Sequence, residues 1–232
     1  MPAAAAGLPP AGTPVPTAIV RIAGDDAVTL VWQNELGGMT ARIERPSGTL
    51  FAKWDPADSP ASLAGEAQRM RWLARAGMRV PVVVGLLRDP TGDVLIAEAI
   101  HGVSIVTETS LQHPERAAAA LGEGLRRLHA LPAADCPFPA PSWAASQRID
   151  DPVVCHGDPC APNTLVAGGA FAGLVDLGDA GIGDRWSDLA IASWSLAWNG
   201  LGAAEPAFWD AYGARSDARR LARWRALWAP PL

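Results

Sequence analysis

Short apolar runs, β-branched or alternating with polar residues, recur through the first hundred positions at 18–23, 27–32, 39–43, 49–54, 82–87 and 94–100. Alternation with period two marks strands that bury one face, so this part of the chain reads as a small sheet. Arg88-Asp89-Pro90-Thr91-Gly92-Asp93, between the last two runs, carries the proline and glycine of a turn. One stretch follows a different period. After Ser59-Pro60, the residues Leu63, Ala67, Met70 and Ala74 recur at helical spacing, and Gly77 follows Ala76. A capping serine, a proline in the first turn and a closing glycine bound a helix over 59–76.

The pattern changes after residue 101. Helices are expected over 114–129, with Leu121, Leu125 and Leu128 on one side, and over 184–199, apolar nearly all round and therefore buried. Two more follow at 205–212 and 217–228, the last capped by Ser216. The stretch 133–152 is rich in proline, shows no period and reads as loop. Strands first and helices later predict an α+β chain, divided as a flexible leader (1–16), an N-terminal lobe (17–101) and a mostly helical C-terminal lobe (102–232).

Composition narrows the function. The 232 residues hold 24 acidic and 19 basic side chains, so no basic footprint points to nucleic acid. No apolar run approaches the length of a membrane span, and three cysteines do not make a secreted disulfide framework. A cytoplasmic, monomeric protein is expected. One figure stands out. Arginine occurs 18 times and lysine once, at Lys53. A genome-wide preference for arginine accounts for most of this, but a compact ammonium and a planar guanidinium differ at a phosphate site. The surviving lysine therefore invites a role. Glu66 lies on the edge of the helical stripe, and its partner is either Lys53 or, in a solvated arrangement, Arg69 or Arg71.

The richest stretch is Val153-Val154-Cys155-His156-Gly157-Asp158-Pro159-Cys160-Ala161-Pro162-Asn163 with the hairpin after it. Gly168-Gly169 between two apolar runs marks a tight turn. With those glycines at its centre, Asn163 faces Leu174 and stands diagonal to Asp176 on one face, roughly 7–8 Å apart; a bulge would change that register. Both are hard oxygen ligands that suit Mg²⁺ rather than zinc, and Asp158 beside them is free to act as a base. A zinc site at Cys155, His156 and Cys160 lacks the spacing and the fourth ligand. Neither a G-x-S-x-G elbow nor a Walker A loop is present. The turn Asn34-Glu35-Leu36-Gly37-Gly38-Met39-Thr40 reads as a hairpin, or as a loop whose backbone N–H groups fold over phosphates.

The order His156-Gly157-Asp158, then Asn163, then Asp176-Leu177-Gly178 after a hairpin, preceded by a strand lysine and a helix glutamate, resembles the protein-kinase-like phosphotransferases. More narrowly, 154–163 and 173–178 resemble the bacterial aminoglycoside O-phosphotransferases acting on 3' or 3'' hydroxyls. Gly183-Asp184-Arg185-Trp186-Ser187-Asp188-Leu189-Ala190, Leu128-His129-Ala130-Leu131, Cys136-Pro137-Phe138 and Gly65-Glu66-Ala67 add to the likeness. The resemblance implies a two-lobe kinase-like fold and ATP- and Mg²⁺-dependent transfer to an antibiotic hydroxyl. It implies that Asp158 accepts the hydroxyl proton, that Asn163 and Asp176 hold Mg²⁺, and that Lys53, held by Glu66, grips the α- and β-phosphates. Gly37, Gly38, Met39 and Thr40 would cover the nucleotide, and backbone near Glu98 and Ile100 would bind adenine. His156 would organise the loop. A polycationic substrate asks for acidic contacts; Asp179, Asp184, Glu205 and Asp210 are the candidates, with Asp188 bracing the loop and Asp184 serving also as a helix cap.

Two features depart from that family. Only 139–152 separates the Cys-Pro-Phe element from the loop, where relatives carry a longer helical segment, and the terminus 224–232 lacks an acidic, aromatic ending. Kinases of macrolides, choline or homoserine-like metabolites, and a nucleotide-binding pseudokinase, are the alternatives.

Overall fold

The computed structural model describes residues 6–228; the first five residues of the expected leader and the last four of the terminus lie outside them. The chain divides into two compact units. One runs to Arg71 and takes in Pro81–Ala99, and the other comprises Trp72–Val80 with everything from Ile100 onward.

The first unit is an antiparallel sheet of β1 (Ala27–Gln33), β2 (Met39–Arg45), β3 (Gly48–Pro56), β4 (Val83–Asp89) and β5 (Gly92–Glu98), in the order β1-β2-β3-β5-β4. Ala41, Ile43, Leu50, Ala52 and Val94 alternate inward and pack against Ala18, Ile19 and Ala23. Those last three sit on a helix, α1 (Thr17–Ala23), not on the strand expected at 18–23. Seven residues are too few to separate the two periods, and burying 18, 19 and 23 together requires the helical one. Residues 6–16 are not all free: Gly7 exchanges both backbone hydrogen bonds with Gln33 at 2.9 and 2.8 Å.

The helix α2 (Leu63–Arg75) starts later than expected. Ser62, whose hydroxyl accepts from the Gly65 N–H at 3.1 Å, caps it instead of Ser59. Its buried stripe is Leu63, Glu66, Ala67, Met70 and Leu73, while Ala74 faces out. Glu66 is therefore within the stripe.

In the second unit, α4 (Pro114–His129), α5 (Arg185–Trp198), α6 (Glu205–Tyr212) and α7 (Ala218–Trp228) follow the predicted helices closely, joined by a short α3 (Glu108–Leu111). Asp217, not Ser216, caps α7 by accepting from the Arg219 and Arg220 N–H groups at 3.0 Å. Two small sheets complete the unit. The first pairs β7 (Pro152–Cys155) with β10 (Gly181–Asp184); the second sets β6 (Val103–Ser104), β8 (Thr164–Ala167) and β9 (Ala170–Leu174) side by side. No helix among the described residues is long and apolar enough to cross a membrane.

Candidate active site

The residues singled out in the sequence fall into two groups, one in each unit. In the sheet unit, Lys53 points from β3 and its Nζ donates to Glu66 Oε2 at 2.9 Å. The Glu66 side chain is 7% exposed and the Lys53 side chain 25%, so the carboxylate is buried and the ammonium still reaches solvent. A buried carboxylate requires such a partner, and Lys53 provides it. Thr40 and Leu95 flank Lys53 across the sheet.

The turn before β2 closes the β1–β2 hairpin. The Asn34 side-chain oxygen accepts from the Leu36 and Gly38 N–H groups at 3.0 and 2.7 Å, and the Gly37 N–H bonds the Asn34 carbonyl at 3.1 Å. These donors are engaged inside the turn. Gly38 is needed for another reason: a Cβ there would lie 2.1 Å from Asp55 Oδ1. At the far end of the sheet the Glu98 N–H is bonded to Val82 O and the Ala99 N–H to Thr49 O, so neither is open to a base. Ile100 lies half-buried just beyond them.

In the second unit, β7 delivers the loop that begins at His156. Asp188, fully buried on α5, accepts from the His156 N–H at 2.6 Å and the Gly157 N–H at 3.1 Å. It also binds His129 Nε2 at 3.1 Å, while His129 Nδ1 meets the Tyr212 hydroxyl at 2.8 Å. The donors can be assigned. A carboxylate only accepts, so His129 Nε2 carries a proton, and Nδ1 accepts from the Tyr212 O–H. His156 Nε2 likewise donates to the Val175 carbonyl at 3.1 Å, which ties the loop to the end of β9. Gly157 takes φ +86°, and a Cβ there would lie 2.4 Å from Asp179 O. Only glycine serves at this position.

Asp158 follows at once. Burial raises its carboxyl above the ordinary range; the Cys160 thiol and His156 pull it back, while Asp176 and Asp179 add to the rise. Its Oδ1 is buried without a hydrogen-bond partner. Asn163 ends a turn of 3₁₀ helix and donates its Nδ2 to the Asp158 carbonyl at 3.0 Å, which leaves its amide oxygen for another partner. Asp176 stands exposed at φ +59°, the one positive-φ residue other than glycine among those described. Such a backbone is uncommon for a side-chain-bearing residue and clusters at functional sites.

The comparisons with known proteins agree with this arrangement. A sequence model of the phosphotransferase enzyme family (APH) matches residues 39–150 and 140–227. The chain belongs to that family. It is 32% identical to an aminoglycoside 3'-phosphotransferase of Streptomyces fradiae, over 78% of this chain and 85% of that protein. It is 29% identical to a streptomycin 3''-kinase of Streptomyces griseus, over 75% and 81%. Among solved structures, that of an aminoglycoside-3'-phosphotransferase of type VIII superposes with a TM-score of 0.78 and 26% identity, covering 91% of this chain and 96% of that one. The kinase-like α+β fold expected from the motifs is the fold of these phosphotransferases.

Within this phosphotransferase, several expectations about individual residues need correction. The hairpin carries a bulge. Ala167 pairs with Ala170 and Val166 with Phe171 as the glycine turn requires, but Leu165 faces Gly173 and Thr164 faces Leu174. One added residue shifts the register, so Asn163 is not opposite Leu174; its carbonyl instead accepts the Val175 N–H at 3.0 Å. Of the four acidic substrate candidates, only Asp179 adjoins the loop. Asp184 is 4% exposed and its carboxylate is consumed by the N–H groups of Trp186, Asp150 and Asp151, so it is a cap and a brace. Glu205 accepts from the Ser193 hydroxyl at 2.5 Å and from Trp209 Nε1 at 2.9 Å, inside the helical packing. Asp210 is exposed on α6, with no bond that links it to the loop.

The sequence reading passed over two residues. Cys160 lies beside the Asp158 carboxylate, and burial together with that carboxylate holds the thiol far above its usual range; its spacing, two residues after Asp158, was the available signal. Trp143, in the segment read as unstructured, donates its indole N–H to the Gly157 carbonyl at 3.1 Å. Nothing in the local pattern announces that bond.

Proposed function

We propose that this chain transfers the γ-phosphate of ATP to a 3' or 3'' hydroxyl of an aminoglycoside, in the cytoplasm where ATP is available. The observation that carries the reading is the buried Asp158 with an unbonded oxygen, on a loop fixed by Asp188, in a chain of this family. A desolvated carboxylate with a spare acceptor is suited to take a proton from a hydroxyl held against it. As the hydroxyl oxygen forms its bond to the γ-phosphorus, the bond from phosphorus to the β-phosphate oxygen breaks, ADP leaves and the proton passes to Asp158. Phosphoryl transfer asks mainly for positioning and charge stabilisation.

Lys53, aimed by Glu66, is assigned to the α- and β-phosphates. Thr40, across the sheet from it, and Met39 are assigned to cover the nucleotide, with the adenine placed against backbone near Ile100. The donor set of Asn163 and Asp176 fits a hard divalent ion. When bound there, Mg²⁺ neutralises charge on the β- and γ-phosphates. Asp179 is assigned to an ammonium group of the acceptor, supported by its exposed carboxylate beside Gly157.

The test is an ATP-consumption screen of the purified chain over aminoglycosides, macrolides, choline and homoserine, with the phosphorylated atom located by NMR. Turnover confined to aminoglycosides, with phosphate on the 3' or 3'' oxygen, is the expected result. Turnover only with another acceptor class, or ATP binding with none, would overturn it.

A further inference from the structure

We propose that Trp143 is a positioning residue for the Asp158 loop, and that the short segment preceding β7 is a strap that fastens this loop from outside. The inference rests on the function proposed above only for its kinetic consequence. Its structural part stands alone.

The segment is rich in proline and has no regular structure of its own, yet it is tied down along its length. The Ile182 N–H donates to Phe138 O at 3.0 Å, and a Cβ at Gly181 would lie 1.9 Å from Pro139 O, so the strap enters in backbone contact with β10. At the other end the N–H groups of Asp150 and Asp151 converge on Asp184 Oδ2 at 2.8 and 3.2 Å, and Arg185 pairs with Asp151 at 2.5 Å. Between these anchors Ala144 is buried and its N–H bonds the Pro141 carbonyl at 2.9 Å, which closes a turn.

That turn presents Trp143. Its ring meets Trp224 of α7 edge to face, with centroids 6.1 Å apart and planes at 85°, and Trp224 is itself buried. Packing against a fixed ring on α7 settles the indole's direction. Its one donor, Nε1–H, then reaches the carbonyl of Gly157.

The consequence lies in which peptide groups are held. Asp188 fixes the Gly157 N–H from the core side, and Trp143 fixes the Gly157 carbonyl, which belongs to the peptide bond leading into Asp158. Gly157 has no side chain and adopts φ +86°, so its own conformational preferences do little to fix that peptide plane. The plane sets where the Asp158 carboxylate points. Losing the indole donor frees it to rotate without removing any group that touches substrate.

The alignment with the Streptomyces fradiae protein spans 230 positions but uses only 78% of this chain, so the relative carries residues with no counterpart here. The two matches to the family meet at 140–150, inside the strap.

The experiment compares the full chain with Trp143→Phe, which keeps a ring against Trp224 but has no N–H. A second variant carries 3-benzothienylalanine at position 143, isosteric with the indole and lacking only the donor, so that loss of packing is not in question. Hydrogen exchange is read by mass spectrometry on peptides covering 153–163, with kcat and KM for ATP measured on an aminoglycoside that the parent phosphorylates. Both variants are expected to exchange faster in this loop and to lose roughly tenfold in kcat, within the range that a small misplacement of a reacting group commands, with KM for ATP within twofold of the parent. Loop exchange and kcat equal to the parent in the benzothienyl variant would overturn the proposal. A parent inactive on every aminoglycoside, with exchange still accelerated in the variants, would overturn the function and leave the strap standing.

Discussion

Asp158, the proposed base, carries its cost in stability most directly. Its folded-state pKa is raised, first by burial and then by Asp176 and Asp179, so the fold favours the protonated acid. That contribution to stability is present below the ordinary carboxylate range, about 4, and is lost as pH climbs through the raised value. At neutral pH the ionised group is a standing cost. Asp158→Asn is therefore expected to melt above the parent at pH 7, with the difference shrinking towards pH 4, as calorimetry across pH would show. The same variant should lose roughly 10²–10⁴-fold in turnover, the usual worth of a general base, and still bind ATP; equal turnover would refute the role. Because the base works only when ionised, the acid limb of kcat/KM should lie above the usual carboxylate range.

Among the elements, α4, α5 and α6 are joined by a buried polar chain. Tyr212 on α6 donates to His129 on α4, which donates to Asp188 on α5, which holds the loop. Burial pushes the Tyr212 phenol up to about 12, so it stays a donor across the working range. Removing it in Tyr212→Phe leaves His129 Nδ1 unsatisfied and should cost about 1 kcal/mol, or about 2–4 °C in Tm for a chain of this size. A melting temperature equal to the parent's would show that the bond adds nothing. The helices were legible in advance because their apolar stripes are long; α4 falls on the predicted residues. The hairpin register was not. Gly168-Gly169 set the pairing near the turn, but the bulge between Leu165 and Val166 shifts it further along, and no local pattern records that bulge.

At the scale of the molecule, 24 acidic against 19 basic side chains leave a net charge of −5, which favours a polycationic acceptor and opposes ATP. Screening between exposed charges sets in at a Debye length of about 10 Å in 0.1 M salt. Raising NaCl from about 50 to 300 mM should therefore lift the KM for an aminoglycoside several-fold while leaving kcat nearly constant, as steady-state assays would show; an unchanged KM would argue for an uncharged acceptor. By itself the sequence determined the α+β class, the helices after residue 114, the lone lysine and the order of Asp158, Asn163 and Asp176, because period, turn chemistry and motif spacing are local. Tertiary structure decided which acids remain for the substrate. Asp184 was legible as a helix cap, but Glu205 looks no different from Asp179 in the chain, and only folding turns its carboxylate onto the Ser193 hydroxyl and the Trp209 indole. The fold also supplied the partners that join the expected brace Asp188 in fixing the loop, since His129, Tyr212 and Trp143 lie far from it in sequence and a hydrogen bond depends on position in space.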